Sequence, residues 1–225
     1  MRGKHFGPLL LLALALSGTD ARSALPRERV SPVALGPCHD ASSCASQAYS
    51  AATPRRVILD VLVSREERVF AVWSKPRGLP REIDIFVVPE HDEVPLRTAH
   101  LAPGFGGDLA WLRGDTLWHW YGCGSSCVRG TLYNREGRVL FRAQGALQSV
   151  RPDGGYLAVA SQDGVSLVSA LDGTLVATAR MAPEAVPLDV VWEGERVAID
   201  YHAATGSTGI VCDLGASNVG CRRVE

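Results

Sequence analysis

The sequence contains six cysteines, which could form disulfides, bind a metal ion or act in catalysis. They form three local pairs, Cys38 with Cys44, Cys123 with Cys127, and Cys212 with Cys221. Outside the cytoplasm such pairs are usually disulfides, whereas in a cytosolic protein they more often bind metal or act in catalysis. Six cysteines allow many connectivities, so the local pairing is inferred from proximity, because short loops close at low entropic cost.

The central pair lies in "YGCGSSCVRG" at 121–130, where several chemistries compete. A structural zinc ion would need two further thiolate or imidazole ligands, and only His119 is close in sequence. A redox pair normally has C-x-x-C spacing near a βαβ unit, but here three residues separate the cysteines. Ser125 and Ser126 do not match the G-x-S-x-G pattern of a nucleophile elbow. We therefore expect a disulfide-clasped turn that holds no metal and no cofactor.

The run "TLWHWY" just before this turn predicts a strand with two different faces. Alternation places His119 and Tyr121 on one face and Trp118 and Trp120 on the other. Two exposed tryptophans would offer a platform for a glycan or peptide. In stacked sheets, core packing of at least one tryptophan is the expected outcome, and His119 is expected to be buried and hydrogen-bonded.

Two sets of candidate site residues follow from these patterns. The first is a binding surface at the clasped loop, with no catalytic residue, formed by Trp118, Trp120, Ser125, Ser126 and Arg129. The second is a hydrolase or lyase site assembled from separated residues, His119, Asp200, His202 and Ser126. Asp200 lies on an otherwise apolar strand, and it is expected to pair with His202 or Arg196 if it is buried.

A repeat of about forty residues positions these side chains. The windows 110–121, 150–161 and 190–201 carry Gly114, Gly154 and Gly194 at the same position, and 62–73 fits the same frame with Glu66 at the turn. Each window predicts two strands around a turn, with third strands near 83–89, 129–134, 165–171 and 208–213. Fourth strands are predicted near 95–101, 138–143, 174–180 and 218–223.

Four strands at this period are typical of a β-propeller blade, and the pattern resembles WD40-like and bacterial secreted propeller repeats. The resemblance is one of period and strand pattern over 57–225, since the Gly-His and Trp-Asp dipeptides of WD40 repeats are missing from the expected positions. It implies an all-β fold of four units, at about 57–101, 106–143, 146–180 and 187–225. A strand from 29–35, or from the Cys38–Cys44 region, would complete the ring. The alternative is a two-sheet β-sandwich.

The first residues indicate where the protein works. A basic start, the apolar run at 9–16 and small residues at 21–24 predict a signal peptide over 1–24. The segment 25–56 is then an N-terminal extension with the first cysteine pair, and helix is expected only in the signal peptide and in a turn within 43–49. No later run has transmembrane length, so no integral membrane segment is expected after cleavage.

Composition excludes some partners. The formal net charge of −1 provides no strong field to attract nucleic acid. We therefore expect a periplasmic or secreted, disulfide-stabilised protein that binds an unidentified protein, peptide or glycan through loops, with the separated-residue enzyme as the alternative.

Overall fold

A computed structural model describes residues 35–51, 56–76, 78–90, 94–103, 106–125, 127–181, 185–204, 206–215 and 219–224. The predicted signal peptide and the predicted strand residues 29–34 lie outside the described residues. Among the described residues no helix is long and apolar enough to cross a membrane.

The described chain forms four antiparallel sheets, each made of four consecutive strands that pair in sequence order. Blade 1 contains β1 (Arg56–Val63), β2 (Val69–Pro76), β3 (Glu82–Val87) and β4 (Leu96–Leu101). Blade 2 contains β5 (Asp108–Leu112), β6 (Thr116–Gly124), β7 (Cys127–Tyr133) and β8 (Val139–Gly145). Blade 3 contains β9 (Leu147–Val150), β10 (Tyr156–Ser161), β11 (Gly164–Ser169) and β12 (Leu175–Arg180). Blade 4 contains β13 (Val186–Glu193), β14 (Arg196–Ala203), β15 (Gly206–Asp213) and β16 (Gly220–Val224).

The sheets stack as successive blades, which makes the fold all-β and β-propeller-like. The first strand of blade 1 lies against that of blade 2, and the first strand of blade 3 lies against that of blade 4. Separate apolar clusters fill the spaces between blades 1 and 2, blades 2 and 3, and blades 3 and 4. Four separate sheets match the predicted repeat and differ from the two-sheet sandwich.

The glycines of the repeat stand where the turn requires them. Gly114, Gly154 and Gly194 have φ angles of 75°, 73° and 62°. These angles lie in the left-handed region, which is unfavourable for residues that have a Cβ atom. Blade 1 lacks the glycine, and Glu67 takes the positive φ of 53° in its turn. The forty-residue spacing therefore marks a positive φ at the same position in blades 2, 3 and 4, and in blade 1 the positive φ lies one residue after Glu66.

These first turns also hold the blades together. The Arg65 guanidinium of blade 1 donates to the Asp153 carbonyl of blade 3 at 2.8 Å, and the Arg113 amide of blade 2 donates to the Gly154 carbonyl at 2.9 Å. The Asp153 carboxylate accepts from Arg151 Nε at 2.7 Å, and this hydrogen bond is the main reason that its pKa lies well below its usual range.

The Cys38–Cys44 region forms a helix where the sequence suggested only a turn or a closing strand. Helix α1 spans Ala41–Ser50 and begins with a capping box, in which the Asp40 carboxylate accepts from the Ser43 amide at 2.6 Å. Its buried face packs on Phe70 and Phe86 of blade 1. Because this segment covers a sheet face, it adds no strand to the fold.

The three predicted disulfides are present, Cys38–Cys44, Cys123–Cys127 and Cys212–Cys221. Cys212 and Cys221 stand directly opposite each other on β15 and β16, so their bridge ties the last hairpin. The described residues include no free cysteine. Disulfides in this number are typical of an oxidising compartment.

The pairing of Asp200 was expected only if this residue were buried, and Asp200 is exposed. Asp200 and His202 are exposed on β14, so the carboxylate needs no buried partner. Arg196 pairs instead with Asp213 across the hairpin, with 2.8 Å between Nε and Oδ1. Cross-strand register decides this pairing, because Arg196 lies opposite Asp213.

The core between blades 3 and 4 contains a polar group without a partner. Tyr201 is fully buried, and no hydrogen bond reaches its hydroxyl group from the described residues. Burial raises the pKa of Tyr201 to about 12. An unsatisfied buried hydroxyl costs free energy that a phenyl ring of the same shape avoids.

We predict that Tyr201→Phe leaves the fold intact and raises the free energy of unfolding by about 1 kcal/mol. Urea denaturation of the oxidised protein measures the change. The half-buried Tyr156 gives the matched control, and Tyr156→Phe should change stability by less than about 0.5 kcal/mol. A destabilised Tyr201→Phe variant would show that the hydroxyl has a partner.

Candidate functional site

A pocket of about 610 Å³ lies against one face of blade 2, bordered by Ala102 and Pro103 of the segment that follows blade 1. This volume falls within the usual range for small-molecule sites. Two smaller pockets, of about 270 Å³ each, lie at other turns. The polar lining of the large pocket comes from His119 and Tyr121 on β6, Arg129, Thr131 and Tyr133 on β7, and Arg142 and Gln144 on β8.

Strand register assembles this lining. His119 lies opposite Thr131, which lies opposite Arg142. The next row on the same face joins Tyr121, Arg129 and Gln144. Since alternate residues of paired strands share a face, two rows of three residues form one polar surface.

The opposite face of β6 is core. Trp118 is fully buried between blades 2 and 3, and its indole nitrogen donates to Gln148 Oε1 at 3.0 Å. Gly130 lies beneath the indole ring, where an added Cβ would approach the ring to 2.0 Å. A side chain at position 130 would therefore collide with the Trp118 indole, so the close packing of this face requires glycine there.

His119 is the most unusual group in the pocket lining. Its side chain is 1% exposed, and its Nε2 has no hydrogen-bond partner among the described residues. Burial lowers the pKa of His119 to about 4, although the charge of Asp108 acts in the opposite direction. The imidazole is therefore neutral near pH 7, with a hydrogen-bonding nitrogen left unused. Its ring centroid lies 5.8 Å from that of Tyr121.

Two arginines give the pocket its charge. Arg129 Nε donates to Gln144 Oε1 at 3.1 Å, and neither Arg129 nor Arg142 pairs with a carboxylate among the described residues. No Asp or Glu is among the described residues that line the pocket. The site is thus a positively charged recess with aromatic, hydroxyl and amide groups.

The structure places the predicted binding residues in different environments. Arg129 lines the pocket, and Ser125 is exposed in the clasped loop beside it. Trp120 is partly buried and packs on the core between blades 2 and 3, and Ser126 lies outside the described residues. Trp118 confirms the expected core packing and leaves no ring surface for a ligand. His119 is buried as expected, but the expected hydrogen bond does not reach its Nε2.

The alternative catalytic residues do not share a pocket among the described residues. His119 faces the blade 2 pocket, whereas Asp200 and His202 are exposed on β14 of blade 4. Neither blade 4 residue lines the pocket around His119.

A second polar cluster on blade 1 is internally satisfied. Asp84 is 1% exposed and contacts Arg56 at 2.9 Å, Arg97 at 3.3 Å and His100 Nδ1 at 2.8 Å. Glu82 also pairs with Arg56. Since these partners compensate the buried carboxylate within the fold, we interpret the cluster as a structural ion network.

Sequence analysis missed five of the seven polar residues in the pocket lining. The missed residues are Tyr121 as a ligand contact, Thr131, Tyr133, Arg142 and Gln144. The signal was the alternation of polar side chains along β7 and β8, which extends the pattern analysed only for "TLWHWY". Polar residues at every second position identify a face that is not packed as core.

Comparisons with known proteins identify no family for this chain. No protein-family model matches the chain, and no curated protein matches it. Solved structures similar to it include a eukaryotic initiation factor, at 13% identity and a TM-score of 0.49, covering 77% of this chain and 45% of that one. Hsv2p of Kluyveromyces lactis is similar at 17% identity and a TM-score of 0.38, with 72% and 50% covered.

Sqt1 of Saccharomyces cerevisiae is similar at 13% identity and a TM-score of 0.39, covering 72% of this chain and 49% of that one. The chain therefore spans about half the length of these three structures. The β-propeller-like fold is established by the four stacked sheets themselves.

We predict a stability effect of His119 that depends on pH. Because the folded protein disfavours the charged imidazole, the pKa of about 4 lies below the ordinary value of 6.5. Between these values the unfolded chain binds more protons, so the free energy of unfolding falls as the pH drops, by up to about 3 kcal/mol.

His119→Gln should flatten this part of the stability curve, measured by urea denaturation at about pH 7 and about pH 4.5. The exposed His202 provides the control, and His202→Gln should follow the wild type. Parallel curves for His119→Gln and the wild type would contradict the buried, neutral state of His119.

Proposed function

We propose that this chain is an exported, disulfide-stabilised binding protein with no catalytic role, and that the blade 2 pocket is its ligand site. Its ligand is a protein, a peptide or a glycan. The observation that carries the proposal is a pocket lined by His119, Arg129 and Arg142, in which, among the described residues, the buried Nε2 of His119 has no hydrogen-bond partner and the two arginines have no carboxylate partner. A ligand can hydrogen-bond the Nε2 of His119 and the guanidinium nitrogens that remain after Arg129 Nε has donated to Gln144.

The scaffold suits binding because it holds the polar groups in place. Seven polar side chains of the lining stand on three paired strands rather than on loops, and the buried Trp118 supports them from behind. Because the backbone of paired strands is already ordered, ligand binding requires no ordering of a loop. The Cys123–Cys127 bridge closes the loop between β6 and β7, so it also restrains the strands that supply His119 and Arg129.

Export is supported by two independent features. Residues 1–24 have the basic start, apolar run and small residues of a signal peptide, and the described cysteines are all in disulfides. In the producing organism, peptide mapping of the exported protein should find a mature start near residue 25. Retention of Met1 in the exported protein would contradict cleavage.

A comparative capture experiment tests the binding site. The oxidised mature protein and its Arg129→Gln/Arg142→Gln double variant are immobilised and exposed to periplasmic extract and culture medium. Both arginines are exposed, so the variant should fold, which thermal unfolding verifies. We expect a component that the wild type retains and the double variant loses.

The matched control is Arg222→Gln, because Arg222 is an exposed arginine on β16 away from the pocket. This control should retain the same component as the wild type. Identical retention by all three proteins would show that binding, if any, does not use the blade 2 pocket, and the proposed site would be wrong.

A further inference from the structure

The positive charge of the blade 2 pocket favours an anionic ligand. Arg129 and Arg142 line it, and no carboxylate of the described lining compensates them. By contrast, Arg56, Arg97 and Arg151 each contact an Asp. A guanidinium group holds a planar carboxylate through two parallel hydrogen bonds, a geometry that lysine does not offer. An anionic ligand would therefore complete this pocket.

His119 adds a requirement for a neutral polar group. With a pKa of about 4 the imidazole is uncharged near neutral pH, so its unused Nε2 can accept or donate one hydrogen bond according to its tautomer. A hydroxyl group is the partner that suits either tautomer, because it both donates and accepts. A second anionic group beside His119 would gain no charge attraction from the neutral ring.

The remaining lining favours a sugar ring over a peptide. Thr131 and Gln144 offer further hydroxyl and amide groups, and Tyr121 and Tyr133 combine an apolar ring with a polar tip. The recess lies on the face of paired strands, whereas main-chain capture of an extended peptide uses an unpaired sheet edge. A volume of about 610 Å³ accommodates a ligand of one or two rings.

We propose that the blade 2 pocket binds a sugar acid, a ring that carries hydroxyl groups and one carboxylate, either free or as a unit of an acidic glycan. Arg129 and Arg142 hold the carboxylate, and His119 Nε2 hydrogen-bonds a ring hydroxyl. This assignment rests on the proposed function, since it names the ligand class of the same site.

Calorimetric titration of the oxidised mature protein tests the assignment with four probes. Glucuronate is the sugar acid, glucose is its neutral counterpart, and inorganic phosphate and the peptide Ala-Glu-Ala supply other anions. We expect glucuronate to bind at least about tenfold more tightly than glucose, as one charge-assisted contact predicts. Raising the salt concentration should weaken glucuronate binding and leave glucose binding nearly unchanged.

Variants connect the result to the pocket. Arg129→Gln/Arg142→Gln should abolish the preference for glucuronate over glucose, while Arg222→Gln should keep it. His119→Leu should weaken both sugars by roughly tenfold, and His119→Gln should restore part of the loss, because only the amide can hydrogen-bond a hydroxyl. Circular dichroism confirms that each variant is folded.

Several results would overturn the sugar-acid assignment. These are equal affinity for glucose and glucuronate, tighter binding of phosphate or Ala-Glu-Ala, no binding of any probe, or a preference that survives in the double arginine variant. If the capture experiment still shows retention that depends on the two arginines, only the ligand class is wrong. If that dependence is missing, the proposed binding site itself fails.

Discussion

Each four-stranded sheet of this protein has two faces, and an apolar face must pack against another part of the chain to be shielded from water. The chain meets this constraint by stacking blades, so that the core is divided into clusters between neighbouring sheets. On the first sheet, helix α1 covers apolar residues that include Phe70 and Phe86. Burial of apolar surface at about 25 cal/mol per Å² makes this covering the dominant favourable contribution to folding.

The same constraint explains why the candidate site is on blade 2. Leu117 on β6 belongs to the core between blades 1 and 2, but His119 and Tyr121 continue the same face as polar residues. Beyond Leu117, this face of β6 lines the blade 2 pocket. Trp118 and Gly130 keep the reverse side packed, so the recess forms without loosening the sheet.

Electrostatics separates the structural polar groups from the candidate functional ones. Asp84 and Asp153 are surrounded by arginines and backbone amides, so their charges are compensated within the fold. Arg129, Arg142 and the Nε2 of His119 lack such compensation among the described residues. Buried polar groups are normally satisfied, and the unsatisfied Nε2 of His119 in the pocket lining therefore supports the proposed ligand site.

The sequence alone determined the repeat, the strand order and the three cysteine pairs. These depend on local features, because glycines at a forty-residue spacing mark turns and alternation marks strands. The local interpretation of 43–49 as a turn was too short, since the capping box at Asp40 and the packing on Phe70 extend it into a helix.

Tertiary structure decided the site and the ion pairs. Only the register between β6, β7 and β8 brings His119, Arg129 and Arg142 to one face, and a shift of one residue would send them to opposite sides. Likewise, the partner of Arg196 follows from strand pairing rather than from proximity in sequence. Contacts between distant segments depend on register and stacking, and a single sequence does not specify these by local pattern.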